Sequence, residues 1–353
     1  MKFEVKRLLD QPIIHTALHP RLQKEATKTG YPNINGPSLI RVPDWLPNPL
    51  GKYYVYFAHH KGPYIRLAYA DCLRGPWKLY DGEIMPLEQS GLLSQRAEKA
   101  SGIQDLLTYC SLSESWALYQ IGEAANKDWE KRNKQKIKSS SPTTPHIASP
   151  EVIVDHDSKS IRLYYHGVVK GSLQMSKVAE SKDGINFEAG KGIISLPYLR
   201  IFSFRDQVYG ISMPGFLYRS DDGIHDFEVR KRWLFPHQTR HIGLHIVDEI
   251  LYIFYSVVGD EPEKILYTRM NLQPKDWNEW AVEPPLELLR PELPWEGAEL
   301  ATKASMRGAM GEAVNQLRDP DVFQDEDGKL YLLYTAAGEQ AIGIASLTLI
   351  KSP

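Results

Sequence analysis

Arg318-Asp319-Pro320-Asp321-Val322-Phe323 runs into Asp325-Glu326-Asp327-Gly328-Lys329 and then into Leu330-Tyr331-Leu332-Leu333-Tyr334. It is a short apolar run, an acidic turn closed by glycine, and a second run rich in tyrosine. The phrase recurs. Ala148-Ser149-Pro150-Glu151-Val152-Ile153-Val154-Asp155 is followed by Arg162-Leu163-Tyr164-Tyr165-His166, and Asn35-Gly36-Pro37-Ser38-Leu39-Ile40 by Gly51-Lys52-Tyr53-Tyr54-Val55-Tyr56-Phe57. A looser copy pairs Gly243-Leu244-His245-Ile246-Val247-Asp248 with Leu251-Tyr252-Ile253-Phe254-Tyr255. Repetition of one supersecondary phrase means stacked units that share a core.

Each pair of runs is β-branched or aromatic and is bounded by Gly, Pro, Asp and Asn, as strands are. Further strands follow each pair, and Ser181-Lys182-Asp183-Gly184 and Ser220-Asp221-Asp222-Gly223 read as the same tight reversal in two units, since Asp and Gly tolerate left-handed dihedrals. Four strands at a period of roughly 40–50 residues mark a β-propeller blade. The chain therefore reads as an all-β, five-bladed β-propeller. Its blades are expected near 33–85, 146–192, 196–232, 238–290 and 316–349, within a single domain spanning 1–353. Residues 86–145 break the rhythm as a partly helical insertion between blades one and two. It contains an expected helix near Trp116–Lys138 that ends in a basic run, most simply a solvated face.

The bulk numbers narrow the function. Net charge is −2, so no global field favours nucleic acid or an anionic membrane. Two cysteines, Cys72 and Cys110, make neither a disulfide framework nor a zinc pattern. The start, Met1-Lys2-Phe3-Glu4-Val5-Lys6-Arg7, lacks an apolar signal core, and no run is long enough to span a bilayer, so a cytoplasmic location is expected. The 19 Tyr and 8 Trp suit pleated strands first and wet, sugar-binding surfaces second.

In a propeller, residues preceding the innermost strands and residues following the second strands meet at one rim. Glu151, His245, Asp321 and Ser38 are expected at equivalent places in four blades. Glu151 and Asp321 sit inside apolar phrases, where a carboxylate is paired or functional. Asp319 just before a strand is equally a turn residue bonding its own backbone. His59, His60 and His166 follow second strands, and His146 and His241 precede innermost ones. Arg200, Arg240 and Arg318 sit at or before innermost strands, where converging guanidinium groups bind an anionic or polyhydroxyl ligand or hold carboxylates ionised. A polar connector before blade five, Trp295-Glu296-Gly297-Ala298-Glu299 onward, adds Glu296 and Glu299 as candidate acids at the rim.

The "DP-x-V-F … DG-K-x-Y-L-x-Y" phrase resembles the five-bladed glycoside hydrolases of family 43 and its relatives in families 32, 62, 68, 117 and 130, over most of the chain outside 86–145. The resemblance implies acidic residues from three blades around a scissile glycosidic bond. The first-blade aspartate of that pattern falls here at Asn35 or Gly36, and blade two has Ser149 in place of Asp; only blade five keeps Asp319-Pro320. The expected activity is release of a terminal sugar from a plant or algal oligosaccharide. Glu151 and Asp321 are the expected acid/base pair, Glu299 a relocated acid and His245 an orienting or proton-transferring group. Asn35, His59, His60, His166, Arg200, Arg240, His241, Arg318 and Asp319 are the expected substrate-binding set. A phosphorylase using the arginines and His241 for phosphate, and a non-catalytic sugar-binding propeller, are the alternatives. No cofactor is required on this reading, although the resemblance admits a channel-bound divalent cation such as calcium.

Overall fold

The computed structural model describes residues 2–95, 144–170, 173–235 and 239–350. It is a five-bladed β-propeller. Strand β1 (Lys2–Arg7) leads into helix α1 (Pro20–Thr29), the one α-helix among the described residues. Blade one holds β2 (Asn35–Arg41), β3 (Tyr53–Ala58), β4 (Tyr64–Ala70) and β5 (Lys78–Leu79), with β6 (Ile84–Pro86) also pairing with β4. Blade two holds β7 (Ile147–Asp155), β8 (Ser160–Lys170), β9 (Leu173–Ser181) and β10 (Glu188–Ala189). Blade three holds β11 (Arg200–Phe204), β12 (Gln207–Ser212), β13 (Phe216–Ser220) and β14 (Glu228–Trp233), and blade four holds β15 (Thr239–Val247), β16 (Ile250–Val257), β17 (Ile265–Asn271) and β18 (Leu286–Leu289). Blade five is β19 (Leu317–Gln324), β20 (Leu330–Ala336) and β21 (Ala341–Ile350), completed by β1 from the other end of the chain.

The expected blade boundaries hold to within a few residues. What the repeat did not announce is that the outermost strand of blade five is β1, antiparallel to β21 from Lys2↔Ile350 to Arg7↔Ala345. Glu296 secures this closure. Fully buried, it accepts hydrogen bonds from Arg7 Nε and Nη2, both at 2.7 Å, from Tyr334 Oη at 2.7 Å, and from the N–H groups of Glu292 and Leu293. The expected helix at 116–138 and its basic run lie outside the described residues.

The hydrophobic core is divided into five wedges, one between each pair of neighbouring blades. Tyr54, Ile65, Ile147 and Leu163 share one wedge, and Tyr53, Val55, Leu333 and Ile344 another. The tyrosine-rich second strands supply these wedges and also tie blades together through their hydroxyls. Tyr56 donates to the Gly184 carbonyl of blade two at 2.7 Å, and Tyr164 to the Gly223 carbonyl of blade three at 2.9 Å. Both acceptors lie in the expected Ser-x-Asp-Gly reversals. There Ser181 and Ser220 accept from the glycine N–H, Asp183 and Asp222 accept from the next two, and Gly184 and Gly223 take φ of 72° and 74°.

Candidate active site

The innermost strands share a distortion. Their pairing with the second strand shifts register between Asn35 and Ser38, Ala148 and Glu151, Arg240 and Gly243, and Arg318 and Asp321. Inside each shift sits one left-handed residue: Gly36 (φ 59°), Ser149 (50°), His241 (55°) and Asp319 (47°), while Tyr198 (63°) just precedes β11. A bulge re-aims side chains, and left-handed non-glycine residues concentrate at functional sites. Here the four bulges, together with the segment just before β11, bring one residue from every blade to the same mouth of the channel, in a ring at the positions of Gly36, Ser149, Tyr198, His241 and Asp319.

Polar contacts join much of this ring. Tyr198 Oη donates to Asp319 Oδ1 at 2.9 Å, and His241 Nε2 lies 3.6 Å from the same oxygen. His241 Nδ1 meets Ser256 Oγ at 3.0 Å. Aromatic faces continue the wall: His241, Tyr198, His166, His146 and His60 follow one another at centroid distances of 5.5, 6.2, 6.1 and 6.3 Å. Burial keeps most of these imidazoles neutral. It lowers His166 and His241 far below the usual range and His59 and His146 to about 4. His59 Nε2 and His166 Nδ1 are buried without a hydrogen-bond partner among the described residues.

Two carboxylates lock the arginines. Glu263, fully buried, takes Arg240 through both oxygens at 2.9 and 2.6 Å and Arg318 Nε at 2.9 Å. Glu339, also buried, meets Arg318 Nη1 at 3.2 Å and His60 Nδ1 at 3.5 Å, and accepts from Asn35 at 3.2 Å and from Asn33. Burial pushes the Glu339 carboxyl up, but His60, Arg318 and Asn33 outweigh it and hold it at about 2. Asp319 goes the other way: burial and then the charge of Glu339 raise it. Two neighbouring carboxyls are thus driven apart, the arrangement that separates a proton donor from an ionised partner.

One layer deeper lies a second ring. Asp321 Oδ2 accepts from Leu39 N–H at 2.9 Å, Ser38 Oγ from Val152 N–H at 2.9 Å, and Glu151 Oε1 from Ile201 N–H at 3.5 Å. Each side chain reaches the same backbone position of the next blade, so these residues form an inter-blade girdle. Burial raises both the Glu151 and Asp321 carboxyls against the opposing pull of Arg200, whose Nη1 lies 3.2 Å from Glu151 Oε2. Arg200 also donates to the carbonyls of Ile242 and Pro150 at 2.9 and 2.7 Å.

Over 340 residues the chain is 33% identical to an uncharacterized protein of Acanthamoeba polyphaga mimivirus, covering 89% of this chain and 83% of that one. The chain belongs to that protein's family. No family model matches it. Among solved structures, alpha-L-arabinofuranosidase from Lactobacillus brevis shares the fold with a TM-score of 0.54 at 10% identity, covering 90% of this chain and 91% of that one. A thermostable family-43 glycoside hydrolase gives 0.51 at 13% identity over 91% and 90% of the two chains, and an endo-1,4-beta-xylanase from Bacteroides thetaiotaomicron 0.51 at 15% over 90% and 95%. The architecture is therefore the propeller of family 43 glycoside hydrolases, as the repeated phrase indicated.

The mouth brings together Asn35, His59, His60, His166, Arg240, His241, Arg318 and Asp319, with Arg200 just below. Two expectations need correction. His245 is not the counterpart of Glu151 and Asp321. The bulge in β15 puts Gly243 there, where an added Cβ would lie 2.5 Å from the Pro320 carbonyl oxygen, and His245 falls two residues further along the strand. Glu299 is exposed on the connector and makes no ion pair among the described residues; the buried acid there, Glu296, is spent on closing the propeller. Among the described residues no three of His, Cys, Asp and Glu group as ligands for a metal. Sequence reasoning missed Glu339, Glu263, Asn33 and Tyr198. Its own rule that residues after second strands reach the rim, extended to blades four and five, leads to Glu263 and Glu339.

Proposed function

We propose that the protein is a glycoside hydrolase that releases a terminal sugar from a plant or algal oligosaccharide, with Asp319 as the general acid. The observation that carries this reading is the Tyr198–Asp319–His241 cluster at the mouth. Its raised carboxyl is held by a hydroxyl and an imidazole, beside a carboxylate that stays ionised. A buried acid of this kind gives its proton to the departing glycosidic oxygen. Neutral imidazoles and a tyrosine face offer hydroxyl partners and a stacking surface for a sugar ring.

The phosphorylase reading is weakened by the arginines: Arg240 and Arg318 are matched to Glu263 and Glu339, and Arg200 to Glu151 and two carbonyls. A binding-only reading draws on Gly36 and Ser149, which put no acid where the family 43 pattern has one. The test is a digestion panel of galactosides, anhydrogalactosides, arabinosides, xylosides and mannosides, with and without phosphate, for wild type and Asp319→Asn. Monosaccharide release without phosphate, reduced about 10²- to 10⁴-fold in the variant, is expected. Sugar phosphate formed only with phosphate would indicate the phosphorylase, and sugar binding without turnover the binding protein. Equal release by Asp319→Asn would remove Asp319 from the chemistry.

A further inference from the structure

We propose that His60, oriented by Glu339, is the general base of this site and stands in for the carboxylate that blade one lacks. The inference rests on the hydrolase reading and adds the second catalytic group to it. In the ring of left-handed residues, blade one contributes Gly36, which has no side chain. The same blade instead sends His60 to the mouth from the end of its second strand. Its backbone N–H donates to Asn33 Oδ1 at 2.6 Å, and its ring stacks on His146 at 6.3 Å and 29°. With 21% of its side chain exposed, against 7% for His241, it is the more open of these two imidazoles.

Glu339 faces Nδ1 of His60 at 3.5 Å. Asn33, Asn35 and Arg318 pin that carboxylate from the other sides. A fixed carboxylate at one ring nitrogen selects the tautomer with its proton there and leaves Nε2 as the acceptor. A water bound at Nε2 then gives its proton to the ring as its oxygen bonds to the anomeric carbon. The glycosidic C–O bond breaks, and the departing oxygen takes the proton of Asp319. The products are the free sugar and the shortened alcohol; His60 then loses its proton to solvent and Asp319 regains one. Besides Glu339, the groups that interact with this imidazole are Asp319 and the imidazoles of His59, His146, His166 and His241, while Arg318 and Tyr31 act on Glu339.

The test uses the full chain and a substrate cleaved in the panel. His60→Ala is expected to lower kcat about 10²- to 10⁴-fold with KM within a few-fold. Sodium azide, a nucleophile that needs no base, should restore turnover and give a glycosyl azide. Asn33→Asp, which sets a second negative charge beside Glu339, should move the acid limb of the kcat/KM profile to higher pH. Activity of His60→Ala within threefold of wild type, or a loss in a folded variant that azide does not restore, would overturn the proposal. If His60→Ala does not fold, His60→Gln is held to the same azide criterion. A readout independent of turnover is the ¹³C titration of Glu339, identified with Glu339→Gln: the carboxyl should remain ionised at pH 4 in wild type and protonate at higher pH in His60→Gln. An unmoved titration overturns the pairing even if sugar is released, whereas a wild type that cleaves nothing overturns the hydrolase reading and the base with it.

Discussion

Glu151 and Asp321 have the composition of a catalytic pair and the contacts of a fastener. Each accepts a backbone N–H from the following blade, and Ser38 does the same between blades one and two. A buried N–H that loses its acceptor costs about 1–3 kcal/mol. Asp321→Ala is therefore expected to destabilise the protein by that amount in urea unfolding. Asp321→Asn, whose amide oxygen still accepts from Leu39, should cost less and leave sugar release within tenfold of wild type. A loss of turnover in Asp321→Asn as deep as that of Asp319→Asn would return this carboxyl to the chemistry. The distinction was invisible in sequence because Asp319 and Asp321 share one phrase, and only the bulge between Arg318 and Asp321 separates their surroundings.

At the level of elements, the first strand closes the last blade. Propeller sheets end in edges, and β1 covers the edge of β21 along six residue pairs. Its side-chain anchor is Arg7 on the buried Glu296, which would be left as an unpaired interior charge without that guanidinium. Arg7→Ala is expected to cost about 3–5 kcal/mol. Tyr334→Phe, which removes one of five donors to the same carboxylate, should cost about 1 kcal/mol. Thermal unfolding of the two variants orders them, and an Arg7→Ala midpoint equal to wild type would show that backbone pairing alone holds the closure. Sequence reading did not find this element because Phe3-Glu4-Val5-Lys6 alternates too briefly to stand apart from a tail.

For the molecule as a whole, the buried acids pull stability in opposite directions with pH. Glu339 is depressed to about 2, so its contribution is present above the ordinary carboxylate range and is lost as pH falls through that range toward 2. Glu151 and Asp321 are raised, so the native state holds protons that the unfolded chain releases, and their contribution falls as pH rises from the ordinary range through the raised values. The imidazoles of His59, His146, His166 and His241, held neutral in the native state, oppose this fall across the ordinary histidine range, so the Glu151→Gln, Asp321→Asn double variant should gain stability relative to wild type as pH rises from 4 to 8. Urea midpoints from pH 4 to 8 measure this; parallel curves for both proteins would rule out the girdle as its source. The fold was legible because every blade repeats the same strands, turns and tyrosines, each a local demand of the pleated sheet. The site was legible in part, as a convergence of His, Arg and Asp at strand ends. Glu263 and Glu339 escaped because the rim rule was not carried to the connections after the second strands of blades four and five, and Asn33 and Tyr198 because they stand in unrepeated segments before β2 and β11, where only the ring geometry shows what they face.

Gly36 sets a condition on any redesign of the mouth. A Cβ at this left-handed position would sit 3.1 Å from the Cα of Ser149, its neighbour in the ring. A side chain placed here on blade one meets the backbone of blade two, which must yield by a few tenths of an ångström to admit it. Grafting an acid onto this position therefore calls for a compensating adjustment around Ser149, whereas His60 already reaches the mouth from the same blade.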